Sequence, residues 1–209
     1  MFMIDSKKMC EIIGAMAEKI QEQKDFLTEL DNEIGDGDHG INLARGFAAV
    51  KEKMPGFAEK DVGAILKETG MTLVSTVGGA SGPLYGTAFM KAGMACKGMA
   101  EIDGEAFLKA FSAAVAGVKQ RGKSEEGEKT MLDALCPAER ALSEALSAGE
   151  GLKLALGKAV DAAEAGLVHT KDIIATKGRA SYLGERSLGH QDPGATSSLL
   201  MLQVIEAAL

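Results

Sequence analysis

The stretch Met9-Cys-Glu-Ile-Ile-Gly-Ala-Met16-Ala-Glu-Lys-Ile20 places Met9, Ile12, Ile13, Met16 and Ile20 three and four residues apart. That spacing lines one face of a helix, and Asp5 or Ser6 stands where a cap belongs. The same period returns in Val62, Ile65, Leu66, Thr69 and Leu73, then in Phe107, Phe111, Ala114, Val115 and Val118. It recurs in Met131, Leu132, Leu135 and Leu142. A last apolar helix runs from Ala195 to Leu209, with Asp192-Pro193 ahead of it as a cap and a first-turn proline. No stretch sustains strand alternation rich in β-branched residues. The reading is all-α: roughly eight helices on short connections, hence antiparallel neighbours in an up-and-down bundle or closed helical barrel. Abundant alanine and the absence of tryptophan let such helices approach closely.

With 209 residues the chain can bury a proper core, and it reads as one domain, 1–209, with no room for a second, substrate-binding one. Hydrophobic residues make up 46% and charged residues 25%, which excludes a largely disordered chain. A formal net charge of −7 argues against a nucleic-acid partner, whose phosphates would be repelled. A phosphorylated small ligand is still admissible if positive charge is supplied locally, and metal ions are the obvious supply. Cys10, Cys96 and Cys136 are scattered and odd in number, as expected of reduced thiols in a cytoplasm. Charges within Met1 to Lys8 fall where a signal peptide would carry its apolar stretch, and no run approaches the length of a membrane span. His39, His169 and His190 lack zinc-site spacing.

Four segments break the helical pattern: Ile34 to Gly40, Gly78 to Gly86, Gly122 to Lys129, and Thr176 to Gly194. The last is long for a connection in a compact bundle, and such loops are usually functional or disordered. Alternate turns of an up-and-down bundle fall at one end, so these four loops can build a single site.

The strongest chemical signal is Asp31-Asn-Glu-Ile-Gly-Asp36-Gly-Asp38-His39-Gly40. Carboxylates this close repel by about 1 kcal/mol each in water and several times that near a protein surface. They are left in solvent or neutralised by cations, and Gly35 and Gly37 allow the backbone angles that would turn Asp36 and Asp38 toward Asp31. Oxygen ligands suit Mg²⁺, Ca²⁺ or Mn²⁺. A calcium EF-hand loop is excluded, because its twelfth position would be Phe47 or Asn42 instead of glutamate. Three carboxylates are too few for a protein-only cage but enough to hold one or two Mg²⁺ against a polyphosphate. An acidic turn of solvated Asp and Gly is the plain alternative.

Val77-Gly-Gly-Ala-Ser-Gly-Pro-Leu-Tyr-Gly86 leads into an apolar helix, where glycines and free N–H groups suit an approaching phosphate, although a tight turn would look the same. It fits neither a dinucleotide fingerprint nor a serine-hydrolase elbow. Gly117-Val-Lys-Gln-Arg-Gly-Lys-Ser124 matches the P-loop expression, but the residues before it have helical periodicity where a buried strand is required, so the match is coincidental. In the long loop, Lys177, Arg179, Arg186 and His190 gather cationic or polar groups, and an arginine there could pair bidentately with phosphate.

Taken together, Glu33-Ile-Gly-Asp-Gly-Asp-His-Gly40, Gly78-Gly-Ala-Ser-Gly82, Gly127-Glu-Lys-Thr-Met-Leu-Asp133, Gly178-Arg-Ala-Ser-Tyr-Leu-Gly-Glu-Arg186 and Asp192-Pro-Gly194 resemble the ADP-binding L subunits of dihydroxyacetone kinases. The pieces occur in the family's order over almost the whole chain. The resemblance implies a barrel of eight antiparallel helices with the nucleotide in the loops at one end. It implies that Asp31, Asp36 and Asp38 ligate two Mg²⁺ ions and, with Arg179 at the phosphate end, form the catalytic group. His39, Gly40, Ile41 and Asn42 would contact the nucleotide, Ile41 through its backbone only. Ala80 and Ser81 would meet the phosphates, Gly122 and Met131 the adenosine part, and Asp192, Pro193 and Gly194 the rim. In the phosphotransferase-system version, tightly bound ADP is recharged to ATP by a phosphohistidine-carrying M subunit, and a K subunit presents dihydroxyacetone. A homodimer is left open. The alternatives are the nucleotide-binding part of an ATP-dependent dihydroxyacetone or fatty-acid kinase, and a nucleotide-state sensor for a regulatory partner.

Overall fold

The computed structural model describes residues 3–209; Met1 and Phe2, part of the N-terminal stretch weighed above, lie outside them. Among the described residues the chain forms nine α-helices: α1 (Ser6–Glu22), α2 (Lys24–Ile34), α3 (His39–Lys53), α4 (Val62–Thr76), α5 (Ser81–Ala95), α6 (Gly104–Gly122), α7 (Leu132–Ser147), α8 (Leu152–His169) and α9 (Pro193–Ala208). Eight of them make a ring. α1 packs on α3, α3 on α4, and so on through α8 and α9, and α9 closes back on α1. α2 bridges α3 and α9 and accounts for the ninth helix. It is separated from α1 only by Gln23, whose N–H still bonds to the Lys19 carbonyl, and no proline or glycine marks the break.

The face predicted from the opening stretch is the buried one: Met9, Ile12, Ile13, Met16 and Ile20 all point into the core. They join Leu43, Phe47, Ile65, Leu73, Leu132, Leu156 and Leu202 in one continuous cluster. Close helix approach comes from alanine and glycine alike. Ala155, Ala159 and Ala163 are fully buried on α8, which packs on α7. Between α4 and α5 the contact is tighter still: a Cβ at Gly70 would come within 2.6 Å of the Gly86 carbonyl. An apolar cavity of about 130 Å³ remains inside the ring, and Tyr85 and Met131 separate it from the loops above.

The lower end is closed by a two-residue antiparallel ladder, β1 (Ile4–Asp5) on β2 (Glu101–Ile102), and by the short connections before α4, α6 and α8. The connections before α3, α5, α7 and α9 meet at the upper end, as expected of alternate turns. Two boundaries differ from the expectation. α5 begins at Ser81, so Gly82, Pro83 and Gly86 lie inside its first turns; a proline is tolerated there because that N–H has no helical partner. The P-loop match falls on the last turns of α6 with Gly117 inside the helix and Lys123 as its left-handed cap. No helix among the described residues is long and apolar enough to cross a membrane.

Candidate metal centre

The upper connections enclose a pocket of about 540 Å³, within the range that holds small ligands. Asp31 stands in the last turn of α2, and Asp36 and Asp38 lie in the turn that follows it. One carboxylate oxygen from each lies within 4.8 Å of the other two. Oxygens on opposite sides of one Ca²⁺ at about 2.3–2.6 Å lie up to about 5.2 Å apart, and around one Mg²⁺ at about 2.0–2.1 Å up to about 4.2 Å, so this all-oxygen donor set suits hard divalent ions, with Mg²⁺ drawing the carboxylates slightly closer.

Local sequence builds this convergence. Asp31 is only 9% exposed, and its Oδ2 accepts hydrogen bonds from the Asp38 N–H at 2.9 Å and the His39 N–H at 3.1 Å. That folds the turn back over the end of α2. Gly37 takes a φ of +72°, which costs a side-chain-bearing residue free energy. Gly35 is required for space instead of for a left-handed angle, since a Cβ there would fall 2.0 Å from the Asp31 carboxylate. Arg179, brought in by the long loop, places Nη2 2.8 Å from Asp36 Oδ2. The loop itself is tied down by Thr176 N–H to the Glu128 carbonyl, by Gly189 N–H to the Lys171 carbonyl and by His190 against Glu33 at 2.9 Å.

His39, Ala80, Ser81, Gly122, Met131, Asp192, Pro193 and Gly194 line the pocket together with the three aspartates and Arg179. The ring nitrogens of buried His39 lie 2.9 Å from Ser81 Oγ and 2.9 Å from Ser197 Oγ. Burial holds its pKa below the ordinary histidine value against the opposing pull of Asp31 and Asp38. Gly40, Ile41 and Asn42 are not on the pocket wall. Gly40 is pressed against the Lys24 carbonyl, Ile41 is 49% exposed, and Asn42 Oδ1 accepts from Arg45. Asp192 lines the pocket and is buried. It caps α9 by accepting from Ala195 N–H at 2.7 Å, and burial pushes its pKa up to about 7.

The structure adds residues that the sequence reading gave no role. Lys129 lines the pocket with 1% exposure and a φ of +59°, and donates from Nζ to the Thr170 and Ile173 carbonyls. Asp133 accepts from the Gly127 and Thr130 N–H groups, each at 2.7 Å, and so shapes the loop that carries Lys129. Arg121 also reaches the wall, as does Lys177 from the cationic long loop. A molecule of net charge −7 therefore concentrates Arg121, Lys129, Lys177 and Arg179 around one cavity. Both Lys129 and Asp133 lie in the quoted Gly127–Asp133 motif, which was the available signal.

The model of the DAK2 domain matches residues 33–207. The chain is 48% identical over 186 residues to the ADP-binding subunit of the PEP-dependent dihydroxyacetone kinase of Escherichia coli (strain K12), covering 89% of each chain. It is 43% identical over 195 residues to the ADP-binding subunit of the PTS-dependent dihydroxyacetone kinase of Lactococcus lactis, covering 93% of each. In fold it is similar to the dihydroxyacetone kinase of C. freundii solved with AMP-PNP and Mg²⁺, with a TM-score of 0.73 and 24% identity. That alignment covers 96% of this chain and 33% of the other, so this chain spans about a third of that kinase's length.

Proposed function

This chain belongs to the DAK2-domain family, and on that ground we propose that it is the ADP-binding subunit of a dihydroxyacetone kinase that works with separate partner subunits. The observation that carries the reading is the convergence of the Asp31, Asp36 and Asp38 oxygens within 4.8 Å in a cavity whose wall also holds Arg121, Lys129, Lys177 and Arg179. Relatives that match it over about nine tenths of both chains are named for ADP binding, and the related fold was solved with AMP-PNP and Mg²⁺.

In this proposal Asp31, Asp36 and Asp38 hold two magnesium ions, which supply the charge that neutralises a polyphosphate and stabilises the transferring phosphoryl group. Arg179 reaches the same point, and its planar fork suits a terminal phosphate. α5 has no side-chain cap, so its first N–H groups are free for phosphate oxygens. Leu84, Val118, Gly122 and Met131 give the less polar wall that would take the adenosine. The acceptor, dihydroxyacetone, is carried by a K subunit, and the phosphate comes from a phosphohistidine-carrying M subunit that recharges ADP in place. Retention is feasible: an affinity of about 1 nM and association of about 10⁶ M⁻¹s⁻¹ give release of about 10⁻³ s⁻¹, far slower than a turnover of about 10 s⁻¹.

Calorimetry with purified chain tests the reading. ADP should bind with magnesium and lose at least about 100-fold in affinity with chelator or in Asp36→Asn. Equal binding of ADP with chelator present would refute it. Transfer to a K-type partner's substrate from ATP alone, with no phosphohistidine donor, would refute the recharging role.

A further inference from the structure

Behind the phosphate-facing wall runs a line of buried hydroxyl groups with one imidazole in it. Ser81 Oγ lies 2.9 Å from His39 Nδ1, and His39 Nε2 lies 2.9 Å from Ser197 Oγ. Ser197 Oγ is 2.7 Å from the Tyr85 hydroxyl, which is 2.9 Å from Ser198 Oγ. His39, Tyr85, Ser197 and Ser198 are all buried, and Ser197 and Ser198 are absent from the pocket wall. His39 also spans two parts of the site, because its backbone N–H donates to Asp31 while its ring meets the first residue of α5.

Both ring nitrogens of His39 face hydroxyl oxygens and neither faces a carboxylate, so the ring enters the line as one donor and one acceptor and the line has a direction. Ser81 can donate to His39 Nδ1, and the hydrogens then run inward to Ser197, whose own hydrogen must go to the Pro193 or Gly194 carbonyl. Alternatively Ser198, Tyr85 and Ser197 donate in turn, Ser197 into His39 Nε2, and Nδ1–H donates to Ser81, whose hydrogen then faces the pocket. The distances favour the second. The Pro193 and Gly194 carbonyls lie 3.0 and 3.1 Å from Ser197 Oγ, long for O–H···O bonds, whereas 2.9 Å to a ring nitrogen is ordinary. Likewise Tyr85 is closer to Ser197 at 2.7 Å than to the Gly194 carbonyl at 3.1 Å, so its hydrogen goes to Ser197. A buried one-way line of this kind strengthens its terminal donor by mutual polarisation.

We infer that His39 is a positioning residue: held by Ser197 as the Nδ1–H tautomer, it aims the Ser81 hydroxyl hydrogen at a phosphate oxygen of the bound nucleotide. The inference rests on the nucleotide reading given above and goes beyond it in assigning His39 a role through Ser81, with no contact of its ring to the ligand. Ser197 becomes part of the recognition machinery although it is absent from the pocket wall.

The experiment is a long-range ¹H–¹⁵N correlation on chain labelled with ¹⁵N-histidine, saturated with magnesium and ADP, with His39 assigned through His39→Asn. The expected result is hydrogen on Nδ1. Ser197→Ala should move hydrogen to Nε2 and weaken ADP binding about three- to tenfold. His39→Asn, whose amide can donate near the Nδ1 position, should keep more affinity than His39→Ala. Wild-type chain that binds ADP with hydrogen on Nε2 overturns this inference and leaves the nucleotide reading standing. Wild-type chain that does not bind ADP overturns both.

Discussion

The helices that begin at the lower end of the barrel and those that begin at the upper end meet the same requirement in different ways. At the lower end Asp5, Asp61 and Asp103 each cap their own helix, accepting from the N–H of Lys8, Ala64 and Ala106, and α8, behind Gly151, is the exception without a side-chain cap. At the upper end α3 is also preceded by an aspartate, Asp38, yet that carboxylate makes no cap; it faces Asp31 and Asp36 instead. The first N–H groups of α3 are met from outside by Asp31, and α5 has no side-chain cap at all. A carboxylate spent on its own helix is unavailable to a ligand, and an uncapped helix start keeps its donors for one. An aspartate before a helix is therefore ambiguous in sequence, and its second partner decides its role. Asp192 lies between the two cases, capping α9 as a lower-end residue would while sitting in the wall of the pocket.

The largest effect that would break this contrast should come from Gly166 on α8. Pro137 has no N–H to give to the Asp133 carbonyl, so that oxygen is left open on the flank of α7, and Gly166 packs onto it. A Cβ at position 166 would fall 1.9 Å from this oxygen. Gly166→Ala must force α8 from α7 and should cost about 3–4 kcal/mol, lowering Tm by roughly 10 °C. Since Asp133 holds the 127–130 loop, ADP affinity should fall as well. Gly157, nearer the lower end of the same helix, would place its Cβ in open space, and Gly157→Ala should stabilise by about 0.5–1 kcal/mol. Thermal unfolding of both variants beside wild type checks the pair; equal effects would remove the asymmetry.

Asp192 should give the next largest effect, and it appears as a pH dependence. Its folded pKa of about 7 lies above the ordinary 3.8. The folded state thus binds this proton more tightly than the unfolded one, and the associated stability is present below pH 4 and lost as pH rises through 7. Asp192→Asn keeps a capping oxygen and removes the charge. Without metal or nucleotide, its stability relative to wild type should be near zero at pH 4 and rise by roughly 2–4 kcal/mol by pH 8. Denaturant unfolding across that range measures it, and a difference that stays flat with pH would place the carboxylate in solvent.

What could be read in the sequence follows from how local each feature is. The barrel was legible because Met9 to Ile20 and the later periodic runs carry their own burial pattern. The acidic turn was legible because carboxylates and glycines that close together need a cation or water. Gly82, Pro83 and Gly86 misled as breakers: the first two sit in a helix start that tolerates them, and Gly86 is set by its packing on α4, visible only once α4 is in place. The Gly127–Asp133 motif marked the segment of Lys129, but nothing in the residue type tells that a lysine will turn inward onto the Thr170 and Ile173 carbonyls. The His39 line was out of reach, since Ser197 is 158 residues away. Gly40, Ile41 and Asn42, carried over by resemblance, are engaged elsewhere: Gly40 packs on the Lys24 carbonyl, Ile41 faces outward, and Asn42 accepts from Arg45.

The smallest effect sharpens the contrast most. Asp103 caps α6 at the lower end and lies far along the helix from the pocket, so Asp103→Ala should cost about 1 kcal/mol of stability, the ordinary worth of an aspartate cap. Its ADP affinity should match wild type. Asp38→Ala should show the reverse: almost no loss of stability, because this side chain makes no cap and relieving its repulsion with Asp31 and Asp36 is favourable, together with loss of magnesium-dependent ADP binding. Unfolding free energies and calorimetric affinities of the two variants give four numbers that must cross. If Asp38→Ala destabilised the fold as Asp103→Ala does while ADP still bound, the two ends would be alike, and the upper carboxylates would be structural.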